Sequence, residues 1–596
     1  MPIFDYGKAI TALRNRRKWS QGRLVDSLDH YEPMLNRIEK GKALPREERI
    51  LQVLDTLGTP LEDFINPDNV LTNPQYQLSE KAKVMEHDGR PDYEIEAVIY
   101  QGLEITFDDI DDSSPGKTAL LFEEPELFHT LARIRARQGE LVSAVRILTE
   151  TKDGLIRLPE GERERDRHII QILLTLADCQ LQMEAYQDAL DTCELGLSTS
   201  AIRNEGMGTP DFLLLKVKAL SGLGQAQEIT ALLKLAYAGY LLLGEKENAD
   251  QILHVAKDNY DVQFDTYGME KLDIPQIEKQ PYARGKMPPC SSIGEMISLL
   301  RKEAEIELKE LSQGICSVAN LSKIERNVIK RPNMHQVEPL MQRLGRDPQL
   351  YCNFFLKKDD FDARELRDHI HLLLVTGKHD QAAVELEKLR GYRNYKEGVN
   401  LQFILRVEAM LFINTYGAAN PECEKMLLQA LALTWPDYNE RGIYRKPLTH
   451  NESVIIDCLA VCYMATGDYK RASKIYDAML ENLDSRCVDE QEKSRMYAGL
   501  SYNYSICLGK LDRRRDAMEV IVKAVDFDRS HSSMLALPLL IYNKAFNLYE
   551  RNEKEKSLAY FAMALYGFMI FKDYGRAHNI PIAQRRIMTN FGIAVD

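Results

Sequence analysis

Residues 459–476 read LAVCYMATGDYKRASKIY, where small and aromatic residues recur at helical spacing on both sides of a break at Thr-Gly-Asp. Residues 176–189, LADCQLQMEAYQDA, superpose on the start of this stretch without a gap, at a shift of 459 − 176 = 283 residues. The two segments share Leu, Ala, Cys, Tyr and Ala at matching positions. A pattern of helix, break and helix that occurs twice predicts paired helices in a chain that repeats itself.

A second pair of matching segments supports the repeat. The residues LNRIEKGK around Glu39 recur as LSKIERN around Glu325, at a shift of 325 − 39 = 286 residues. Between the two copies, residues 273–291 contain four prolines, which forbid a continuous helix and indicate an extended connector. The sequence therefore predicts two concatenated halves, a pseudo-dimer within one chain, each with a short head and a longer helical body.

Length and composition indicate a protein of several domains. The 596 residues suggest roughly four domains of about 150 residues each. Ten cysteines without paired CxxC spacing favour a reducing compartment, and the sequence shows neither a signal peptide nor an apolar stretch long enough to span a bilayer. We therefore expect a cytoplasmic protein with no membrane partner. The net charge, 77 − 90 = −13, repels nucleic acid, so any contact with DNA must come from a local basic patch.

Such a patch lies near the amino terminus. Residues 8–42 contain nine Lys or Arg and four Asp or Glu, a local charge of +5. Within them, residues 20–42, SQGRLVDSLDHYEPMLNRIEKGK, resemble the helix-turn-helix domains of the λ-repressor and Cro type. In that motif a fixed turn holds the second helix so that its outer face enters the major groove of double-stranded DNA. The alternative is a solvated basic helix.

The resemblance implies which residues of this first head contact DNA. Asn36 and Arg37 fall on the outer face of the recognition helix, and an Asn amide pairs bidentately with adenine. Glu32, on the same face, accepts only from cytosine and otherwise repels phosphate. The predicted DNA-binding residues of the first head are Arg16, Arg17, Lys18, Gln21, Glu32, Asn36, Arg37 and Lys42.

A second head follows the proline-rich connector and closely resembles regulators of the Rgg and PlcR kind. The residues GICS at 314–317 carry the resemblance. They place Ser317 as the N-cap of a recognition helix, with Asn320 and Lys323 on its outer face. We predict that Ser317, Asn320 and Lys323 contact DNA.

The second head also departs from that family. Glu307 and Leu308 stand where Ser or Thr followed by Gln is usual, which removes a helix cap and a phosphate donor. Residues 295–331 contain seven basic and six acidic residues, a local charge of only +1. The alternative is a head that no longer binds DNA and is kept for packing or dimer contacts.

The bodies show the helix-pair signature of tetratricopeptide-like repeats, with readable units at 131–148, 176–190, 459–476 and 542–565. Stacked pairs curve into a superhelix whose concave face commonly holds an extended peptide or a partner helix. A PlcR-type head joined to such repeats resembles the RRNPP group of quorum-sensing regulators. The resemblance implies a cytoplasmic, homodimeric bacterial transcription regulator that binds a short signalling peptide in its repeat groove.

In the RRNPP group, groove asparagines clamp the peptide, because an amide donates to a C=O and accepts from an N–H whatever the peptide sequence. Tyr-Asn occurs at 502–503 and again at 542–543 in matching repeats, whereas the first body has Lys218 at the position equivalent to Asn503. We therefore predict that the peptide binds the second body; the alternative is a solvent-facing helical Asn. The predicted peptide-binding residues are Tyr463, Tyr502, Asn503, Tyr542, Asn543 and Asn547.

Enzymatic chemistry is not indicated. The stretch SSPGKT at 113–118 resembles the end of a phosphate-binding loop, but Asp111 would stand at the first loop glycine, where a carboxylate repels phosphate. Cys458 and Cys462 lie one helical turn apart without the further ligands that a metal site needs. We expect no enzyme activity, no cofactor and no bound metal. The alternative function is a repeat-based interaction or sequestering protein with vestigial helix-turn-helix domains.

The predicted fold is all-α and internally duplicated, with each half a λ-repressor/Cro-type helix-turn-helix domain followed by a tetratricopeptide-like superhelix. The predicted segments are a helix-turn-helix domain over 1–68, repeats over 69–272, a linker over 273–291, a second helix-turn-helix-like domain over 292–352 and repeats over 353–596.

Overall fold

The structure, a computed structural model, is all-α in the part of the chain that it describes, as the sequence predicts. Twenty-five α-helices and two 3-10 helices are present there, and the described residues contain no β-strand. The described residues are 74–105, 123–156, 163–203, 208–280, 293–329, 334–346, 358–375, 377–392, 395–487, 490–534 and 536–570, with 206, 332 and isolated positions before residue 74.

The chain divides into two compact units. Unit 1 comprises residues 1–203, 208–232 and 349–355, and unit 2 comprises residues 204–207, 233–348 and 356–596. The domain boundaries and the internal duplication expected from the sequence stay predictions.

Unit 1 is a series of antiparallel helix pairs. From α2 to α8 each helix packs against the next one, and apolar side chains of α3 to α8 form one continuous core. Leu131, Leu148 and Leu173 lie in that core, and each side chain is shielded from solvent. The helices are α1 (Gln21–Asp26), α2 (Pro74–His87), α3 (Asp92–Leu103), α4 (Glu123–Arg137), α5 (Leu141–Ile156), α6 (Arg163–Gln182), α7 (Tyr186–Arg203) and α8 (Thr209–Gly222); α9 (Ile229–Leu242) begins in unit 1 and ends in unit 2.

Unit 2 contains a cluster of four short helices followed by a second series of helix pairs. The short helices are α11 (Ile293–Glu303), α12 (Leu308–Ser312), α13 (Val318–Glu325) and α14 (Met334–Arg343). The others are α10 (Lys246–Tyr260), α15 (Lys358–Val375), α16 (His379–Arg390), α17 (Gly398–Tyr416), α18 (Pro421–Ala432), α19 (His450–Ala465), α20 (Tyr469–Arg486), α21 (Glu490–Ser494), α22 (Tyr497–Lys510), α23 (Arg514–Ser530), α24 (Leu537–Glu550) and α25 (Lys554–Ile570). The 3-10 helices are Met269–Lys271 and Glu440–Tyr444.

Two layers of helices organise the second series. Helix α17 packs against α18 and also against α19, which packs against α20 and α22; α22 in turn packs against α23 and α24. Helices α17, α19, α22 and α24 therefore touch one another in chain order, and we call them the inner layer. Stacked helix pairs of this kind present one layer toward a common surface.

The helix break lies at the same place in the two segments on which the repeat was predicted. Helix α6 ends at Gln182 and α7 begins at Tyr186, while α19 ends at Ala465 and α20 begins at Tyr469. The differences, 465 − 182 and 469 − 186, are both 283. Asp468 caps α20, since its side chain accepts a hydrogen bond from the backbone N–H of Arg471 at 3.0 Å. This cap fixes the start of α20 directly after the break.

The described part of the predicted linker, residues 273–280, is extended and belongs to unit 2. The ammonium group of Lys279 donates to the carbonyl oxygens of Leu243 at 2.8 Å and of Arg529 at 3.1 Å. Arg529 donates from Nε to the carbonyl oxygen of Leu242 at 2.8 Å. These bonds satisfy carbonyl groups at the ends of α9 and α23, where a helix leaves its last carbonyls unpaired. No helix among the described residues is both long and apolar enough to cross a membrane.

Candidate functional site

Helix α19 carries a row of half-buried side chains. His450, Val454, Asp457, Cys458 and Val461 are spaced so that all five lie on one face of the helix. We call these five residues the α19 row. Because α19 lies between α17 and α22 in the inner layer, the row faces a surface that three helices share.

Asp457 and Asn503 connect two helices of the inner layer. The Asn503 amide donates from Nδ2 to Asp457 Oδ1 at 3.2 Å, and both side chains are half-buried. Burial raises the pKa of Asp457 to about 6, and the hydrogen bond from Asn503 partly opposes that rise. An amide and a carboxyl group side by side offer both donors and acceptors, which an extended peptide backbone requires.

The other two predicted clamp asparagines lie deeper than Asn503. Asn543 is 6% exposed and donates from Nδ2 to the hydroxyl of Ser505 on α22. Asn547 is 1% exposed and donates from Nδ2 to the carbonyl oxygen of Asn543 at 2.9 Å. The Oδ1 atom of Asn547 is buried and has no hydrogen-bond partner among the described residues. The Asn543 amide therefore joins α24 to α22, the Asn547 amide bonds within α24, and the role of both in peptide binding remains a prediction.

The predicted tyrosines divide between two places. Tyr502 and Tyr542 lie near each other on α22 and α24; burial, with the nearby Tyr542 hydroxyl, raises the pKa of Tyr502 to about 12. Tyr463 lies elsewhere, since its hydroxyl donates to Glu424 at 2.7 Å and the Arg471 guanidinium lies 3.8 Å from its ring centre. Tyr463 thus contacts α18 and α20 and points away from the α19 row.

In the second head, α12 and α13 are two short helices joined by a short turn, and Ser317 caps the second of them. Its hydroxyl accepts a hydrogen bond from the backbone N–H of Asn320 at 3.1 Å, whereas Glu307 makes no side-chain cap at the start of α12. Ser317 and Lys323 are exposed on α13. The Asn320 amide donates to Gln336 Oε1 at 3.0 Å and is half-buried. The helix therefore presents Ser317 and Lys323 to solvent, while the Asn320 amide is held by α14.

A close approach of α11 and α13 completes the second head. Arg301 on α11 donates from Nε and Nη2 to the two carboxylate oxygens of Glu325, at 2.6 and 3.0 Å. At Gly294 a Cβ atom would lie 2.0 Å from the carbonyl oxygen of Ile324, so only glycine permits this packing. The bidentate pair fixes the orientation of α13 relative to α11.

A buried ion pair joins the second head to the inner layer. Arg343, the last residue of α14, donates from Nη2 to Glu452 Oε1 at 2.9 Å, and both side chains are 0% exposed. Arg343 also donates from Nη1 to the carbonyl oxygens of Leu311 at 2.8 Å and of Gln313 at 2.6 Å, both in or after α12. One guanidinium therefore binds the turn of the head and the first turn of α19 together.

Further polar groups close this junction. Glu452 accepts from the Thr434 hydroxyl at 2.8 Å and from the backbone N–H of Thr449 at 2.7 Å. Burial alone would raise the pKa of Glu452, but Arg343 and Lys446 hold it below its ordinary value. Burial lowers the pKa of Lys446 to about 8, although the nearby Glu452 opposes this change. The junction is a polar network whose charged groups are shielded from water, which makes its geometry specific.

Few residues of the first head are described. Gln21 begins α1, whose N-cap Ser20 accepts a hydrogen bond from the backbone N–H of Arg23 at 3.2 Å. Arg37 is exposed, and the side-chain oxygen of Asn36 is buried. The predicted DNA-binding residues Arg16, Arg17, Lys18, Glu32 and Lys42 lie outside the described residues.

Two features of the site were not predicted from the sequence. The pairing of Arg343 with Glu452 joins residues 109 positions apart, and no local pattern connects them. Asp457 follows His450 by seven residues, which is a helical spacing. The residues around Asp457 are mostly apolar, so the sequence pattern did not indicate a polar face on this helix. In the part of the chain that the structure describes, no group of three or more His, Cys, Asp or Glu side chains could hold a metal ion.

Comparisons with known proteins give structural neighbours and no family. No protein-family model and no curated protein matches this chain. PlcR of Bacillus thuringiensis, solved with the peptide PapR7 and DNA, is 16% identical with a TM-score of 0.33, and the match covers 50% of this chain and 99% of PlcR. The competence regulator ComR of Streptococcus vestibularis is 15% identical with a TM-score of 0.31, covering 51% of this chain and 98% of ComR. The anaphase-promoting-complex assembly Cut9–Hcn1 is 13% identical with a TM-score of 0.29, covering 86% of this chain and 98% of the matched chain.

Proposed function

We propose that this protein is a cytoplasmic bacterial transcription regulator that binds DNA through its helix-turn-helix heads and is controlled by a short signalling peptide. The observation that carries the proposal is the position of α19. Glu452, in its first turn, binds Arg343 of the second head, and Asp457, on the following turn, meets Asn503 of the inner layer. One helix therefore contacts both the second head and the polar side chains of the inner layer.

The DNA-binding part of the proposal rests on α13. Its exposed Ser317 and Lys323 are a hydroxyl and an ammonium group on the outer face of the second helix of a helix-turn-helix. Such groups contact phosphates and position the helix in the groove. In the first head, exposed Arg37 would contact phosphates in the same way. The sequence resemblance assigns base recognition to Asn36.

The peptide-binding part rests on the contact between Asp457 and Asn503. A peptide backbone that lies along the inner layer would replace this hydrogen bond with bonds of its own to the amide and the carboxyl group. Tyr502 lies beside Asn503 and supplies an aromatic surface for a peptide side chain.

The coupling between the two activities follows from a rigid helix. A peptide that moves α19 acts on the head through the buried Arg343–Glu452 pair, because this pair does not stretch without leaving a charge unpaired. The two heads of one chain then serve as the two half-site readers that regulators of this kind otherwise obtain by homodimerisation.

Footprinting on genomic fragments tests the proposal. We expect a footprint with two unequal half-sites about one helical turn, or a multiple of it, apart. The variant Asn36→Ala/Arg37→Ala should remove protection of one half-site, and Lys323→Ala should weaken the other. A footprint that neither variant changes would exclude the heads as DNA readers.

A ligand pull-down tests the peptide. Mass spectrometry of small molecules retained by the purified protein should identify a peptide whose calorimetric affinity falls about tenfold or more in Asn503→Ala, which corresponds to the loss of one or two hydrogen bonds. Unchanged affinity in this variant would place the peptide elsewhere.

Two observations favour a second function, in which the repeats sequester another regulator or enzyme and the heads are vestigial. The net charge of −13 opposes binding to DNA, and the Asn320 amide is bonded to Gln336 rather than presented to solvent. Gel shifts at stated salt separate the two functions, because a sequestering protein forms no salt-resistant specific complex with DNA.

A further inference from the structure

Arg406 is a buried cation that forms no ion pair with any residue the structure describes. It lies in the middle of α17, inside the apolar run NLQFILRVEAMLF at 400–412, and is 2% exposed. Within the described part of the chain, its Nε atom has no hydrogen-bond partner and no carboxylate pairs with its guanidinium. Its aromatic neighbour is Phe403, whose ring centre lies 4.8 Å from the guanidinium carbon.

The surroundings of Arg406 do not compensate its charge. Burial, together with the nearby Arg367 cation, lowers the pKa of Arg406 to about 10. Arg367 itself is paired with Glu338 at 2.7 Å, so that carboxylate is already engaged. A buried arginine that lacks an anionic partner costs several kcal/mol of stability, and such a cost is typically retained for a function.

Two imidazoles, those of His450 and His371, add basic groups to the surroundings of Arg406. Burial, and next the Arg406 and Arg495 cations, hold the pKa of His450 well below its ordinary value, so this imidazole is neutral at pH 7. The ring centres of His450 and His371 lie 6.3 Å apart, and His371 is exposed. The cluster therefore reaches solvent beside α15 and offers guanidinium and imidazole groups as hydrogen-bond donors.

The cluster continues the α19 row. Cys458, whose thiol lies near the Arg406 guanidinium, directly follows Asp457 in the chain, and His450 begins the same row. A ligand that runs along the inner layer from Asn503 past Asp457 therefore reaches Arg406 next.

We propose that Arg406 binds a carboxylate of the peptide, either its C-terminal group or an acidic side chain. This inference rests on the proposed function and names the chemistry of one end of the ligand. A guanidinium forms two parallel hydrogen bonds to a carboxylate, which is the complement that the unpaired Arg406 lacks.

Three pools of N-acetylated random heptapeptides test the proposal by affinity selection. The first pool lacks Asp and Glu and ends in a free carboxylate; the second lacks both residues and ends in an amide; the third contains Asp and Glu and ends in an amide. We expect the first or the third pool to be retained at least about tenfold more than the second, since a charge-assisted bond contributes about 1.5–3 kcal/mol. The pool that is retained identifies the source of the carboxylate.

The variant Arg406→Gln should lose this discrimination and keep the weaker retention of the second pool. Equal retention of all three pools by the wild-type protein would overturn the carboxylate proposal and leave peptide binding intact. If no pool is retained, the peptide-binding function itself is refuted, and the carboxylate site with it.

A measurement without ligand separates this role from a structural one. Arg406→Met removes an uncompensated buried charge and keeps the volume, so its melting temperature should rise by about 2 °C or more. The matched control Arg343→Met removes a buried arginine that is paired with Glu452, and its melting temperature should fall. If the melting temperature of Arg406→Met falls as that of Arg343→Met does, Arg406 is a structural residue and the proposal is wrong.

Discussion

Arg343 and Glu452 form an ion pair at 2.9 Å with both side chains withdrawn from solvent, and this pair holds α14 and the turn after α12 against the inner layer. A charge in such a place is stabilising only while its partner is present. The pair therefore links the folding of the head to that of α19, although the residues lie far apart in the chain.

The variant Arg343→Met should destabilise the junction by about 3–5 kcal/mol, because Glu452 keeps a buried charge without a partner. Trp435 reports on this region, since the Lys446 ammonium lies 4.5 Å from its ring centre. Its fluorescence can be followed in urea after Trp19, the other tryptophan, is replaced by Phe.

A double-mutant cycle distinguishes pairing from packing at the same place. Arg343→Met/Glu452→Met should lose at least about 2 kcal/mol less than the sum of the two single variants, because neither charge is then left alone. Strictly additive losses would mean that the two side chains do not depend on each other.

Gly314, the first residue of the GICS turn, should tolerate no side chain. It has a φ of +72°, and a Cβ atom would lie 2.2 Å from the Cα atom of Thr434. We expect Gly314→Ala to destabilise unit 2 by at least about 2 kcal/mol, because both the strained backbone and the clash oppose folding.

A second glycine provides the control. Gly499 lies inside α22, and apart from that helix's own backbone no atom of the described residues would lie within 4 Å of an added Cβ, so Gly499→Ala should stabilise the protein by about 0.5–1 kcal/mol. Thermal unfolding of the two variants compares them directly, and a loss of similar size in both would contradict the close approach at Gly314.

These residues also mark the limit of prediction from sequence. The break between α19 and α20 was predictable, because periodicity and a capping Asp468 are local signals. The GICS turn and the Ser317 cap were predictable for the same reason. The contact of Gly314 with Thr434 and the pair of Arg343 with Glu452 were not, because they depend on which elements pack together after the chain has folded. Likewise, helical spacing alone did not distinguish half-buried Asn503 from buried Asn547.

Asp457 should make stability depend on pH. Its folded pKa of about 6 lies above the unfolded value of about 3.9, so the folded protein favours the neutral acid. The stabilising contribution is complete below about pH 4 and is lost as pH rises through 6. Relative to wild type, Asp457→Asn should therefore gain about 2 kcal/mol between pH 4.5 and pH 7.5, measured by urea unfolding.

The partner of Asp457 supplies a second test of the same titration. The hydrogen bond from Asn503 favours the charged carboxylate, so Asn503→Ala should raise the pKa of Asp457 further. NMR titration of the Asp457 side chain should show a midpoint above that of the wild-type protein. A midpoint that falls, or that stays near the value of a free Asp, would show that the carboxyl group is solvated.

Lys323 should contribute to DNA binding through a phosphate. Because an ammonium group on the outer face of α13 neutralises one phosphate charge, Lys323→Ala should weaken specific and non-specific complexes alike and reduce the slope of log K against log salt by about 1. Fluorescence anisotropy at several salt concentrations measures that slope. Lys510, at the end of α22 and equally exposed, provides the control, and its replacement by Ala should leave the slope unchanged. An unchanged slope in Lys323→Ala would remove the second head from the interface, since a lysine that meets a phosphate always releases a counter-ion.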